Sequence, residues 1–242
     1  MGEELVCEET KVEQLAQELD KKAALKQEEE KAETGDSDTA RDESSEKTQQ
    51  TEQALLNDDL RHPLDNSWDF WYLSADKTKE WDERMTKIMT FSTVEDFWAV
   101  YHHVALPSRL HIGADYMVFK AGIAPKWEDA QNAKGGSWVL ETGKKQKEHL
   151  DAGWLESLLA CIGELFGEHG DSVNGVVVQV RKRADRLQLW TGEVGTDGKE
   201  ALSIGTHLKK ALNLPEHFRI RFQLHTDAMK RRGSTVTARF QL

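Results

Sequence analysis

Residues 115–142 read DYMVFKAGIAPKWEDAQNAKGGSWVLET. The flanks, DYMVFK (115–120) and SWVLET (137–142), are short aromatic-rich runs of strand type. Between them lies AGIAPKWEDAQNAKGG (121–136), a long polar loop punctuated by Gly and Pro, with Trp127 inside it. Outward from this unit, SWDFWYL (67–73), FRIRFQLH (218–225) and VTARFQL (236–242) read as further strands. VNGVVVQV (173–180) and RLQLWTG (186–192) read as a hairpin around Arg181-Lys182-Arg183-Ala184-Asp185. Three segments carry helical periodicity instead. FSTVEDFWAVYHHVA (91–105) offers Ser92 and Glu95 as a capping box and puts Val94, Phe97, Trp98 and Tyr101 on one face. DAGWLESLLACIGELF (151–166) is apolar at Trp154, Leu155, Leu158, Leu159, Ile162, Leu165 and Phe166. KEALSIGTHLKKALNL (199–214) is expected to stop before Pro215. Strands in hairpin-like runs with three inserted helices give an α+β fold, a mostly antiparallel sheet backed by helices on one face.

The 242 residues divide by composition. Residues 1–60 hold 19 Asp/Glu against 7 Lys/Arg, while residues 61–242 hold 24 against 25. All 8 Trp, 8 Phe and 3 Tyr lie after residue 60. The reading is a disordered acidic N-terminal tail (1–60) and a folded domain (61–242). Within the tail, Val12, Leu15, Ala16, Leu19 and Ala23 recur at helical spacing, so a docking helix near 10–26 stays open beside a plain solvated tail. The net charge of −11 belongs almost wholly to the tail and so does not argue against nucleic-acid binding by the domain. Two distant cysteines, Cys7 and Cys161, form neither a metal spacing nor a disulfide framework. No run approaches ~18 apolar residues, and the acidic start is unlike a signal peptide. A cytoplasmic monomer is expected, with nuclear access left open.

No phosphate-binding glycine loop, zinc-protease motif or nucleophile elbow is present, so no catalytic residue is assigned. His102-His103 is the one histidine cluster, and adjacent helix residues point to different sides, so no metal or cofactor is assigned. The unusual feature is tryptophan in polar loops. Trp68, Trp71, Trp138 and Trp154 lie in strands or on an apolar helix face and read as core. Trp81 follows Asp76-Lys77-Thr78-Lys79-Glu80, and Trp127 stands between Lys126 and Glu128-Asp129. Two indoles in such surroundings suit stacking on a flat ligand, against the ordinary alternative of packing. Glu128 beside Trp127 can accept two hydrogen bonds from guanine N1–H and N2–H₂, a donor pair adenine lacks. Arg181, Lys182, Arg183 and Arg186 cluster within six residues, and guanidinium forks match phosphate oxygens. Together these describe a nucleotide 5′ cap. Methylation at N7 makes the base cationic, and each Trp face then adds about 0.5–2 kcal/mol of cation–π attraction.

The same residues resemble the eukaryotic initiation factor 4E family. The stretches that carry the resemblance are HPLDNSWDFWY (62–72), STVEDFWAVY (92–101), DYMVFKAGIAPKWED (115–129), GGSW (135–138), WLESLLACIGE (154–164) and GSTVTARF (233–240). The resemblance implies a curved eight-stranded antiparallel sheet with three helices on its convex face. It implies that Trp81 and Trp127 sandwich 7-methylguanine, Glu128 reads its edge, and Trp190 contacts the N7 methyl. Arg181 and Arg186 would hold the phosphates with Arg183 assisting, and Arg231 would lie near the end of the triphosphate. Capped mRNA would be the ligand. A scaffold initiation factor of the 4G type and 4E-binding repressor proteins would dock a helical peptide on the convex face, at His62, Pro63, Val94, Trp98, Leu155, Glu156, Leu159 and Gly163. Trp98 read from its helix face alone is equally a core residue. Ser234 matches a phosphorylation position, and Ser137 stands where the family usually carries a basic residue. The implied role is recruitment of capped mRNA to translation initiation. The alternatives are a specialised paralogue, or a protein-interaction module acting as a translational regulator or repressor. A cap-cleaving hydrolase would need carboxylates clustered for metal ions, which the sequence does not offer.

Overall fold

The computed structural model describes residues 61–143, 147–195, 197–230 and 238–242. The acidic tail with its helical spacing at 10–26, Arg231 and Ser234 lie outside the described residues. Eight strands form one curved antiparallel sheet. They are β1 (Pro63–Leu73), β2 (Met85–Thr93), β3 (Asp115–Lys120), β4 (Gly136–Gly143), β5 (Val173–Gln179), β6 (Ala184–Thr191), β7 (Arg221–Leu224) and β8 (Phe240–Gln241). Their spatial order is β2-β1-β3-β5-β6-β4-β7-β8. The α-helices among the described residues are α1 (Val94–His103), α2 (Lys147–Ile162), α3 (Lys199–Ala211) and the short α4 (His225–Lys230), with 3-10 turns at Asp82–Arg84, Pro107–Arg109 and Gly167–Ser172.

Strand alternation decides which face each side chain joins. Trp68, Phe70 and Tyr72 of β1, Tyr116 and Val118 of β3, Val176 and Val178 of β5, and Leu187 and Leu189 of β6 all enter the main core. Phe97 of α1, Trp154 and Leu158 of α2, and Ile204 and Leu208 of α3 meet them there. At its centre Phe70 packs edge-on against Tyr116 (5.2 Å) and Trp154 (6.3 Å). The residues of opposite parity, Leu73, Met117, Phe119, Val177 and Trp190, form a smaller cluster on the other face. The three long helices therefore line one side of the sheet and leave the second side open. α3 is fixed by Trp138, whose Nε1 donates to the Ala201 carbonyl at 2.9 Å. Gly205 lets it approach, since a Cβ there would lie 2.4 Å from the Trp138 ring.

Several local expectations are corrected. Strand β2 has no counterpart among the expected strands. A bulge between Phe70↔Met89 and Trp71↔Lys87 leaves its buried residues, Ile88 and Phe91, three apart, so the period-2 signal is lost. Because β2 runs on to Thr93, the N-cap of α1 is Thr93 and not Ser92; its Oγ1 accepts from Asp96 N at 3.2 Å. Glu95 turns instead to His62, accepting from its backbone N (3.1 Å) and meeting Nδ1 at 2.7 Å. α2 begins and ends four residues earlier than its apolar spacing indicates. α3 ends at Ala211 because Asn213 adopts φ 46° before Pro215 is reached. β7 and β8 are shorter than expected, and the residues after Leu224 turn into α4. Trp71 is only half-buried and packs on the open face, with the Lys87 ammonium 5.7 Å from its ring centroid.

Gly205→Ala is expected to lower stability by on the order of 1–2 kcal/mol. Overpacking against the Trp138 ring costs about 1–3 kcal/mol and exceeds the roughly 1 kcal/mol of helix propensity gained. Chemical denaturation of both proteins checks this; an unchanged or higher midpoint would contradict the packing.

Candidate functional site

The open face of the sheet holds a cleft of about 580 Å³. Its floor comes from strands: Leu73, Met117, Val177, Gln179 and Trp190 all point away from the helices. Trp190 is nearly buried and sits edge-on to Phe119 at 5.5 Å. Gly175, its register partner, is required there, since a Cβ would stand 2.6 Å from the Phe119 ring. The walls come from two loops. The β1–β2 connection brings Trp81, and the β3–β4 connection brings Trp127 and Glu128. Trp81 and Trp127 are 38% and 40% exposed, far above every other tryptophan classed as core, so neither ring is consumed by packing. Trp127 lies parallel to Trp190, with 9° between planes and 6.5 Å between centroids.

A loop can present a ring usefully only if its own backbone is held. Asn132, fully buried, holds this one. Its Nδ2 donates to the carbonyls of Ala124 and Lys126, both at 2.9 Å, and its Oδ1 accepts from Asn174 at 2.9 Å. Asp129 adds bonds from Ala124 N and Gln131 N, both at 2.9 Å. The two walls also touch. Lys126 is ion-paired to Asp82, and its ammonium lies 5.2 Å from the Trp81 ring centroid. The face of Trp81 thus already receives a cation. Glu128 is exposed, lines the cleft, and makes no hydrogen bond or ion pair among the described residues.

At the far end Arg181 lines the cleft and is aimed by Asp115. Both guanidinium nitrogens reach the carboxylate, Nη2 to Oδ2 at 2.8 Å. Burial raises the Asp115 carboxyl above its ordinary value, against the lowering pull of Arg181 and Gln179. Arg183 and Arg186 stand on the same hairpin but outside the cleft lining. Arg183 is exposed with no ion pair among the described residues, while Arg186 is paired to Glu141 at 3.1 Å. Ser137 is buried on β4, in register with Trp190.

On the helix side, the eight residues singled out there fall on the start of β1, on α1 and on α2 with its C-terminal end. Val94, Trp98, Leu155 and Leu159 are half-buried, and His62, Pro63, Glu156 and Gly163 are exposed. Trp98 is therefore neither wholly core nor free; it stacks on His102 at 5.3 Å and packs on Phe97 at 4.9 Å. The His62 hydrogen bonds hold the Glu95 carboxyl down at about 2.

Sequence reading passed over Asn132, Lys126, Asp115 and His225. His225 is buried behind Trp190, ring centroids 4.2 Å apart, and its Nδ1 meets the Asn132 carbonyl at 2.8 Å. It joins the floor to the wall loop. Asn and Asp in a polar loop carry no signal that separates a buried staple from a solvated side chain. A histidine after an apolar strand carries none for its place behind a ring.

Among known proteins, the sequence profile described as "Eukaryotic initiation factor 4E" matches residues 63–239. The eukaryotic translation initiation factor 4E of Aplysia californica is 46% identical over 182 residues, covering 75% of this chain and 84% of that protein. A solved complex of Ascaris suum eIF4E-3 with m7G cap superposes with a TM-score of 0.70 at 41% identity, covering 76% of this chain and 98% of that one. The complex of C. elegans eIF4E-3 with the 4E-binding protein Mextli and cap analog gives 0.69 at 41%, covering 75% and 99%.

Burial holds His225 neutral, lowering its pKa to about 4, while an exposed histidine titrates near 6.5. The folded chain binds fewer protons at this ring than the unfolded chain. The stability it supports is therefore full above pH ~6.5 and is lost toward pH 4 at about 1.4 kcal/mol per pH unit. The stability difference between wild type and His225→Gln is expected to shrink as pH falls from 6.5 to 4. Parallel pH–stability curves for the two would contradict a buried neutral ring.

Proposed function

Because the chain belongs to the eukaryotic initiation factor 4E family, we propose that it binds the 7-methylguanosine 5′ cap of mRNA in the cleft on its open face. The observation that carries this reading is the convergence of Trp81, Trp127, Glu128, Trp190 and Arg181 on one cleft. These residues suit the parts of the ligand in turn. Two half-exposed indoles stack on the cationic base, and Trp190 forms the surface that the N7 methyl meets. Glu128, otherwise unengaged, accepts from guanine N1–H and N2–H₂. Arg181, held by Asp115, takes phosphate, with Arg183 and Arg186 farther along the same hairpin. Arg231 remains proposed at the end of the triphosphate. The protein does this as a binding protein and not as an enzyme.

The helix side serves partners. Val94 and Trp98 on α1, with Leu155 and Leu159 on α2, give a half-exposed apolar strip that suits the apolar face of a partner helix. His62, Pro63, Glu156 and Gly163 border it. A scaffold initiation factor of the 4G type and 4E-binding repressor proteins would dock there, so that capped mRNA is recruited to initiation in the cytoplasm. Cap and partner then occupy opposite faces of one sheet and do not compete sterically.

Trp127→Ala is expected to weaken 7-methyl-GTP binding at least ten- to hundredfold, from loss of about 1–3 kcal/mol of stacking with cation–π attraction added. Glu128→Gln should cost about 1.5–3 kcal/mol, the range for hydrogen bonds to a charged group. Both should keep wild-type affinity for a 4E-binding peptide, and Trp98→Ala should do the reverse. Retention of either cleft variant on a cap-analogue resin at wild-type level would sink the cap reading.

A further inference from the structure

On the open face, three charged side chains form a cluster beside the cleft and outside its lining. Glu141 of β4 faces Arg186 on β6 in register, and Oε1 accepts from Arg186 Nε at 3.1 Å. Its second oxygen lies 3.1 Å from Arg221 Nη2 on β7. Their parity places them there: Leu140, Leu187 and Phe222, the adjacent residues, all enter the helix-side core. Two guanidiniums thus share one carboxylate, leaving a net positive charge. The three side chains are 37–49% exposed, so water competes with each pair and the carboxylate is easily exchanged for another anion. Phosphate oxygens are the natural replacement, since they match guanidinium forks with charge-assisted bonds. Strand order fixes the direction. β7 lies two strands beyond β6, roughly 10 Å across the sheet, on the side away from the hairpin strand β5 that leads into Arg181.

We propose that Arg221 forms a phosphate subsite for the RNA backbone that follows the cap, continuing from Arg186 at the cap's own phosphates, with Glu141 holding both guanidiniums until RNA displaces it. This rests on the cap reading for the position of the first nucleotide. Arg181 and Arg186 serve the cap's own phosphates; Arg221 serves the chain beyond them. Glu141 sets the strength of the subsite, so removing it and removing Arg221 act with opposite sign, which a merely structural role for either residue would not produce.

The test is fluorescence titration of wild type, Arg221→Gln and Glu141→Gln with 7-methyl-GTP and with a capped ten-nucleotide RNA, across a salt series. Arg221→Gln should leave 7-methyl-GTP affinity within about twofold. It should weaken capped RNA about five- to tenfold and reduce the log K against log salt slope by roughly 0.7, the value for one phosphate contact on a single strand. Glu141→Gln should tighten capped RNA about threefold. Equal affinity of wild type and Arg221→Gln for capped RNA, or equal losses on both ligands, would overturn the proposal. Failure of wild type to bind 7-methyl-GTP would sink the cap reading instead, and uncapped RNA of the same length would then decide the subsite by the same Arg221→Gln comparison.

Discussion

A β-strand sends successive side chains to opposite faces, and almost everything in this protein follows from that alternation. Phe70, Tyr116, Val178 and Leu187 must be covered, and α1, α2 and α3 cover them. The same strands, one residue out of phase, put Met117, Val177 and Trp190 on the uncovered face. An uncovered apolar floor is an unfinished core. Here the two loops carrying Trp81 and Trp127 rise beside it without filling it, and the result is a cleft. One sheet thereby yields two surfaces with different chemistry: an apolar floor between two half-exposed indoles, and a helical back with a half-exposed apolar strip.

Presenting rings on loops has an entropic cost, and the polar groups beneath the walls offset it. Asn132 ties three parts of the Trp127 loop and its neighbour strand together from a fully buried position. His225 links that loop to the back of Trp190. Lys126 spans from one wall to the other and rests on the Trp81 face. Electrostatics is graded along the cleft. The unengaged carboxylate of Glu128 stands beside Trp127, and Arg181, braced by Asp115, stands at the other end. The strongly acidic composition of the whole chain hides this arrangement.

What the sequence made legible divides by mechanism. Strands such as 67–73 and 173–179 are readable as aromatic or β-branched runs between turn signals, buried on both faces, and helices with apolar faces, such as 151–162, are readable because burial imposes their period. β2 was not, because its bulge places Ile88 and Phe91 three residues apart on one face. The cap of α1 was misplaced for the same reason, since an unseen strand extends to Thr93. In the cleft, Trp81, Trp127 and Glu128 were conspicuous because tryptophan is costly to leave in a polar loop. Asn132, Asp115 and Glu141 act through partners distant in sequence, and no local pattern announces them. Arg186 was legible as a cation but not as one engaged by Glu141.

In the proposed site, two loop indoles and one carboxylate select a methylated guanine. The direct measurement is tryptophan fluorescence quenching of the full chain, titrated with 7-methyl-GTP and, separately, with unmethylated GTP. Strong saturable quenching by 7-methyl-GTP, with GTP weaker by a factor of ten or more, is the result this account requires; about 1.4 kcal/mol per tenfold lies within the cation–π contribution of two rings. Equal quenching by the two nucleotides, or none by either, would mean that Trp81 and Trp127 are not a clamp for a cationic base.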